Sequence, residues 1–281
     1  MNRVIVLGGY GQLGSEIVAR LGDRGVPLGR DDADVTDAAA LNQALAAAAP
    51  TVVVNCVAYN LVDKAEDDPD AAFGVNAGGA RNVARWCDDH QVPLMHISTD
   101  YVFGRDATRT EPYVETDPRG PLGVYGTSKS MGESVVLQHC PRSWVVRTCG
   151  LYGRKATRSK GNFVDTMVRL GRERPELKVI YDQRCTPTNA GDLAEALVAL
   201  LATDAYGLYH ATNAGDCSWY EFALEIFRLR GLTPKVIPIT SAEYGAKAPR
   251  PGYSVLNCDK LAKTIGRPMR PWRDALAEYL S

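Results

Sequence analysis

Four successive apolar residues, Val4-Ile-Val-Leu7, run directly into a segment with glycine at positions 8, 9, 11 and 14. A short continuous apolar run of this kind reads as a buried strand. Gly8, Gly11 and Gly14 stand at GxxGxxG spacing, and Leu13 to Leu21 continues with helical composition. Strand, glycine turn and helix, in that order, constrain the fold more than any other feature of the chain. The first glycine permits a tight turn, the second lets backbone amides approach an anion, and the third lets the helix pack closely on the sheet. The helix start adds N–H groups without partners and the positive end of the helix dipole. Gly8, Gly11, Gln12, Leu13 and Gly14 are therefore expected to cradle the pyrophosphate of a dinucleotide.

The pattern that follows agrees with this start. Val26 to Leu28 reads as a short second strand, Ala38 to Ala49 as a helix closed by Pro50, and Val52 to Val54 as a third strand. Gly74 to His90 is expected to be a helix, Leu94 to Ile97 a strand, Val124 to Gln138 a helix and Trp144 to Arg147 a strand. Alternating β and α segments predict an α/β fold, a Rossmann-type doubly wound parallel sheet covered on both faces. Arg105 to Pro121 is too long and too rich in Pro, Gly, Asp and Thr to be a simple connection. Beyond Gly150 the chain is punctuated by proline, with amphipathic helices expected at Ala190 to Leu201 and Ser218 to Leu229. Residues 1–150 are thus expected to form a dinucleotide-binding domain and 151–281 a smaller, mainly substrate-binding part. A return to the main sheet is expected near 177–213.

The 32 basic and 33 acidic residues leave no global field that would draw the protein to nucleic acid or a membrane surface. No secretory signal precedes the first strand, and no apolar run reaches the roughly 18 residues of a membrane span. The seven cysteines are scattered, with no CxxC pair and no zinc-ligand spacing beside a histidine. They read as small buried hydrophobes in a reducing, cytoplasmic compartment, and no metal site is expected.

After the second strand comes Gly29-Arg30-Asp31-Asp32. An acid here would hydrogen-bond the ribose 2′-hydroxyl of NADH, whereas an arginine would meet the 2′-phosphate of NADPH. Arg30 comes first, which favours NADPH and leaves NADH open. Asp34-Val35-Thr36-Asp37 reads in two compatible ways, as a border of the adenine and as the acidic start of a helix.

Tyr125-Gly-Thr-Ser-Lys129 places a phenol and an ammonium four residues apart, on one helix face. Reducing a ketone requires a proton for the developing alkoxide as hydride reaches carbon. A nearby lysine is expected to lower the tyrosine pKa toward neutrality. His96-Ile-Ser-Thr-Asp-Tyr-Val-Phe-Gly104 ends the fourth strand, where ligands bind in open α/β sheets, and the Thr99 hydroxyl is expected to meet the substrate carbonyl.

Together with these motifs, NCVAYNLVDKAEDDP (55–69), VN (75–76), VRTCGLYG (146–153), GNFV (161–164) and DQRCTPT (182–188) resemble the extended short-chain dehydrogenases, and among them the dTDP-4-dehydrorhamnose reductase family. The resemblance covers nearly the whole chain. It implies reduction by NADPH of the 4-keto group of a nucleotide-linked 6-deoxy sugar, with Thr99, Tyr125 and Lys129 as the catalytic set. Lys129 would also hold the nicotinamide ribose. The resemblance further places Cys56, Val57, Ala58, Tyr59 and Asn76 beside the cofactor. Val62, Asp63, Thr99, Asp100, Tyr101, Gly150, Asn162 and Phe163 would face the substrate, and a homodimer is implied. The family usually carries tryptophan where this chain has Gly150, which alters the expected sugar pocket. Arg154 to Lys160 reads as a basic loop, either a solvated segment, the commoner case, or a contact for a diphosphate.

Other readings are a sugar-nucleotide epimerase or a non-catalytic NADP-binding regulator resembling the methionine adenosyltransferase β subunit. Dehydratases of this type place glutamate after the Thr-Asp pair, where this chain has Tyr101, so elimination of water lacks its base.

Overall fold

The computed structural model describes residues 3–154 and 161–281, so most of the basic loop, 155–160, lies outside the described residues. Five strands, β1 (Val4–Leu7), β2 (Gly25–Leu28), β3 (Val52–Asn55), β4 (Leu94–Thr99) and β5 (Ser143–Thr148), join the strand Gly207–His210 in one parallel sheet. The spatial order is Gly207–His210, β5, β4, β3, β1, β2. Strand side chains alternate between faces, and the core divides accordingly. Val4 and Val6 pack with α1 (Gln12–Leu21) and the helix Ala190–Leu201 on one face. Ile5 and Leu7 pack with α2 (Ala38–Ala48) and the helices Ala80–Asp89 and Val124–His139 on the other.

Local chemistry sets the element ends. The Asp37 side chain accepts from the amides of Ala39 and Ala40 at the start of α2. Ala49 ends that helix in the left-handed conformation (φ 48°), just before Pro50. The expected single helix from Gly74 to His90 is instead two pieces, a π-helical turn at Gly74–Gly79 and Ala80–Asp89, and the short helix Pro69–Phe73 leads into them. The π turn accommodates an extra residue, and it carries Asn76 against the helix Val124–His139. A Cβ on Gly132 would stand 2.2 Å from the Asn76 carbonyl oxygen, so these helices touch backbone to backbone.

The return to the main sheet is made by Ala190–Leu201 and Gly207–His210. Glu176–Ile180, read as part of that return, pairs instead in parallel with Lys235–Ile239 outside the sheet. Its apolar residues Leu177 and Val179 join Phe222, Ile226 and Trp272 in a separate C-terminal core. An apolar strand segment can satisfy its burial against either partner, and the pattern alone does not choose. Among the described residues no helix is long and apolar enough to cross a membrane.

Gly132→Ala is expected to destabilise the fold by about 1–3 kcal/mol, as overpacking of a close interface does. Urea denaturation against the wild type measures it, and no loss would mean the two helices separate readily.

Candidate active site

The glycine turn is built by backbone. Gly8 has φ 72°, its amide donates to the Leu28 carbonyl (2.8 Å), and its own carbonyl accepts from Gly11 (2.9 Å). A Cβ on Gly14 would lie 2.3 Å from the Gly8 carbonyl, and one on Gly9 2.6 Å from Pro27. The turn is therefore closed to side chains. Gly11, the N-cap of α1, brings no side chain to the first amides, and no acid occupies the first turn. These amides remain available to an anion, so the cradle fits a dinucleotide pyrophosphate. Leu13 supplies backbone only, because its side chain is buried in the core. The buried Gln12 side chain lies where a Cβ on Gly153 would touch it.

At the end of β2, Asp32 accepts from the Gly29 amide and is engaged in its own turn. Arg30 is 82% exposed and, among the described residues, held only by Asp34 (3.1 Å). Asp34 also accepts from the Thr36 hydroxyl and amide, which hold its carboxyl below the usual range. Arg30 is thus a cation presented to solvent just after the end of β2. Val35 points inward, against Gly79, and offers a cofactor only its backbone.

After β3, the Asn55 side chain accepts from the Val57 amide, and the Cys56 amide donates to Leu7. The backbone of Cys56 and Val57 passes within 3.3 Å of where a Gly8 Cβ would stand, so it forms a wall of the turn. Ala58 is exposed. Asn76 accepts from the Tyr59 amide and donates to the Tyr59 carbonyl and the Ser128 hydroxyl. It ties this loop to the helix Val124–His139.

That helix begins where Glu66 accepts from the Val124 amide (2.8 Å). Nothing in the local sequence marks Glu66, 58 residues upstream, as its cap. Tyr125 and Lys129 share the face toward the end of β4. Lys129 is buried, and its ammonium donates to the Ile97 carbonyl (2.7 Å). Burial lowers its pKa to about 8, with Glu133 and Cys56 opposing. Tyr125 departs from expectation: burial pushes its phenol up to about 12, and the Thr99 hydroxyl only partly opposes this. In the resting protein desolvation of the phenol prevails, so Tyr125 keeps its proton.

Lys129 sits one turn before Glu133, a wholly buried carboxylate. Glu133 accepts from Ser98 (2.6 Å) and from Nε and Nη2 of Arg147 (2.8 and 2.7 Å). Arg119 approaches it at 3.4 Å. Arg147 also faces Nε2 of His210 (3.2 Å), whose Nδ1 meets the Tyr113 carbonyl (3.0 Å). Because a guanidinium only donates, Nε2 accepts and the proton of His210 sits on Nδ1. Glu133 could have been found from spacing, since it stands four residues after Lys129 and eight after Tyr125 on the same helix face.

Beside these groups Val62, Glu66, Tyr101, Tyr125, Pro249 and Pro251 line a crevice. Tyr101 packs edge-on against Tyr125 (5.6 Å between ring centres). Asp63, next to Val62 in the chain, accepts from the Ala248 amide (3.1 Å) and from Arg250 (2.8 Å). Gly150 has φ 54°, with Pro187 close behind it. Its backbone, not only its lack of a side chain, differs from what a tryptophan would adopt without strain. Asn162 and Phe163 have structural duties in this state. Asn162 caps the helix Phe163–Glu173 and donates to Gly153 and Tyr279. Phe163 stacks with Phe222 and packs on Trp219. Asp100 is buried beneath Thr99 and engaged by three side chains.

Comparison with known proteins follows the same outline. A family model described as the RmlD substrate binding domain matches residues 1–281. The chain belongs to this family. Within the RmlD family, the chain is 43% identical to a probable dTDP-4,6-dihydroxy-2-methyloxan-3-one 4-ketoreductase of Streptomyces antibioticus, over 98% of this chain and 94% of the relative. It is 42% identical to the dTDP-4-dehydrorhamnose reductase of Streptomyces griseus, over 98% and 92%. A crystal structure of dTDP-4-dehydrorhamnose reductase from Bacillus anthracis in complex with NADP superposes with a TM-score of 0.93 at 38% identity, covering 99% of this chain and 98% of the other.

The pKa of Lys129 in this RmlD-family site has a consequence for stability. Its folded value of about 8 lies below the ordinary 10.5. Between these pH values the unfolded chain keeps a proton that the folded chain has lost, so stability from this position rises with pH. The advantage of Lys129→Met over the wild type in urea denaturation is therefore expected to shrink from pH 7.5 to pH 10. A constant difference would place the lysine in a wetter setting.

Proposed function

We propose that this chain reduces the 4-keto group of a dTDP-linked 6-deoxy sugar with NADPH. The observation that carries the reading is the convergence of Thr99, Tyr125 and Lys129 at the carboxyl end of β4, with the Tyr125 phenol protonated at neutral pH. A protonated phenol is the form required to deliver a proton to a developing alkoxide. Family membership and the names of the relatives support the substrate class. The position after Thr99-Asp100 is Tyr101, not an acid, which supports reduction over elimination.

When bound, the nicotinamide supplies hydride to the carbonyl carbon. The amides at Gly11 to Leu13 would hold the pyrophosphate, Arg30 would meet the 2′-phosphate, and Lys129 would reach the nicotinamide ribose. Tyr125 gives its proton to the carbonyl oxygen. Val62, Tyr101 and the prolines 249 and 251 exclude water around the sugar. Residues 1–150 hold the cofactor and 151–281 mainly the substrate.

With dTDP-4-keto-6-deoxy-L-mannose and NADPH, the purified protein is expected to consume the nicotinamide absorbance. Tyr125→Phe is expected to slow this by about 10²–10⁴-fold, the usual weight of general acid catalysis. Tight NADPH binding without turnover of this or related keto-sugars would point to a regulatory protein instead. Arg30→Ala is expected to raise the KM for NADPH about tenfold or more while leaving that for NADH unchanged, as loss of a charged hydrogen bond does. Equal effects on both cofactors would remove Arg30 from the phosphate site.

A further inference from the structure

Capping the helix Val124–His139 occupies only one of the two oxygens of Glu66. Its Oε1 accepts from the Val124 amide at 2.8 Å, while its Oε2 has no partner among the described residues. Glu66 is half-buried and lines the crevice beside Tyr125. Val62, Leu122, Pro249 and Pro251 give that crevice apolar walls, and Tyr101 and Tyr125 bring phenols. Among the described residues Glu66 is the one carboxylate in the lining. Asp63, close by in sequence, is taken up by the Ala248 amide and Arg250. A Cβ on Gly123 would stand 2.6 Å from Oε1 of Glu66, so glycine at that position leaves room for the carboxylate in the wall. A carboxylate oxygen is satisfied as long as water reaches it. Once a ligand displaces that water, the ligand itself has to supply a hydrogen bond or the oxygen is left unpaired. An ionised carboxylate only accepts, so the displacing group must be a donor.

We infer that Glu66 is a substrate-binding residue whose second oxygen accepts a hydrogen bond from the C3 hydroxyl of the sugar, next to the keto carbon. The inference rests on the proposed 4-keto-6-deoxy substrate and names the part of it that is recognised. With the carbonyl oxygen at Tyr125, the ring carbons on either side of C4 are the next atoms to enter the crevice. C5 carries the methyl group, which Val62, Leu122 and the two prolines can bury favourably. C3 carries a hydroxyl, which those walls would leave unpaired. Besides the Tyr125 phenol, the lining offers that hydroxyl the Tyr101 phenol and the Glu66 carboxylate. A hydrogen bond to an ionised acceptor is about twice as strong as one between neutral groups, which favours Glu66. One side chain then fixes both partners of the reaction. Its first oxygen holds the opening turn of the helix, at the residue before Tyr125, and its second holds the sugar. The carboxylate is rigid and planar, so the distance between the C3 hydroxyl and the start of that helix is set.

The test pairs a change in the protein with a change in the ligand. Glu66→Gln keeps the helix cap, because its amide oxygen accepts from Val124, but it turns an N–H₂ toward the crevice. Calorimetric titration of the NADP⁺-loaded protein with dTDP-6-deoxy-L-mannose, the product of the proposed reduction, and with its 3-deoxy counterpart measures what the hydroxyl contributes. Wild type is expected to bind the 3-hydroxy sugar at least about tenfold more tightly, the usual weight of a hydrogen bond to a charged group, and Glu66→Gln less than about threefold more tightly. A 3-deoxy-3-fluoro sugar accepts but cannot donate, and wild type is expected to bind it as weakly as the 3-deoxy sugar. If Glu66 only caps the helix, Glu66→Gln weakens both sugars equally and leaves their ratio as in wild type, which would overturn the inference. Equal affinity of wild type for the 3-fluoro and 3-hydroxy sugars would overturn it too, and that arm decides should Glu66→Gln not fold. An unchanged far-ultraviolet circular dichroism spectrum reports a folded variant. If wild type binds none of these sugars, the substrate reading fails and the inference with it. Binding without any preference at C3 sinks the inference alone.

Discussion

The orientation of the Tyr125–Lys129 helix depends on one buried ion pair. Glu133 has no contact with water, yet it is an anion, and desolvating it is costly unless every oxygen is met. Arg147 from β5 meets both oxygens in a bidentate fork, and Ser98 from β4 completes the shell. Those two strands are neighbours in register, with Ser98 opposite Arg147. The helix can satisfy Glu133 in only one rotation and one height against the sheet. Lys129 and Tyr125, one and two turns earlier, inherit that placement. Such a pair adds little net stability over an apolar packing of equal volume. Its effect is on geometry: an apolar contact would let the helix roll, while a forked ion pair holds it.

The same helix is anchored at its other contacts by groups far apart in sequence. Glu66 takes its first free amide, and Asn76 reaches its Ser128 hydroxyl from the π turn. The carbonyl of Asn76 rests against Gly132. Glu66 also lines the crevice, so one of the contacts that hold the Tyr125–Lys129 helix is part of the crevice wall.

Much of this was legible beforehand, because it rests on local rules. The glycine turn, the alternation of strands and helices, and the shared face of Tyr125 and Lys129 follow from backbone sterics and helix period. The ends of Ala190–Leu201 were placed to the residue. What stayed hidden were effects set by neighbours distant in sequence. The tyrosine pKa moved up because of burial, which no motif encodes. The break at Gly74–Gly79 depends on what Asn76 and Gly79 touch. Leu13, Val35, Asn162 and Phe163 lie within motifs, but their side chains serve the core or a helix cap. A motif marks where the backbone passes a site, and only packing decides which way each side chain turns.

The place of Gly207–His210 in the sheet has a bearing on how the chain matures. This strand lies beyond β5, and β5 pairs with it from Trp144 to Arg147. During synthesis β5 therefore emerges with one edge bare, and that edge stays open until about three quarters of the chain has been made. Arg147 waits equally long for His210, and Asp100 waits longer still for Ser254. Contacts of such long sequence separation form late and slowly. A nascent chain that already carries its glycine turn, Tyr125 and Lys129 is thus not yet an organised catalyst. Until the last third arrives it is an aggregation-exposed intermediate with an unpaired strand edge.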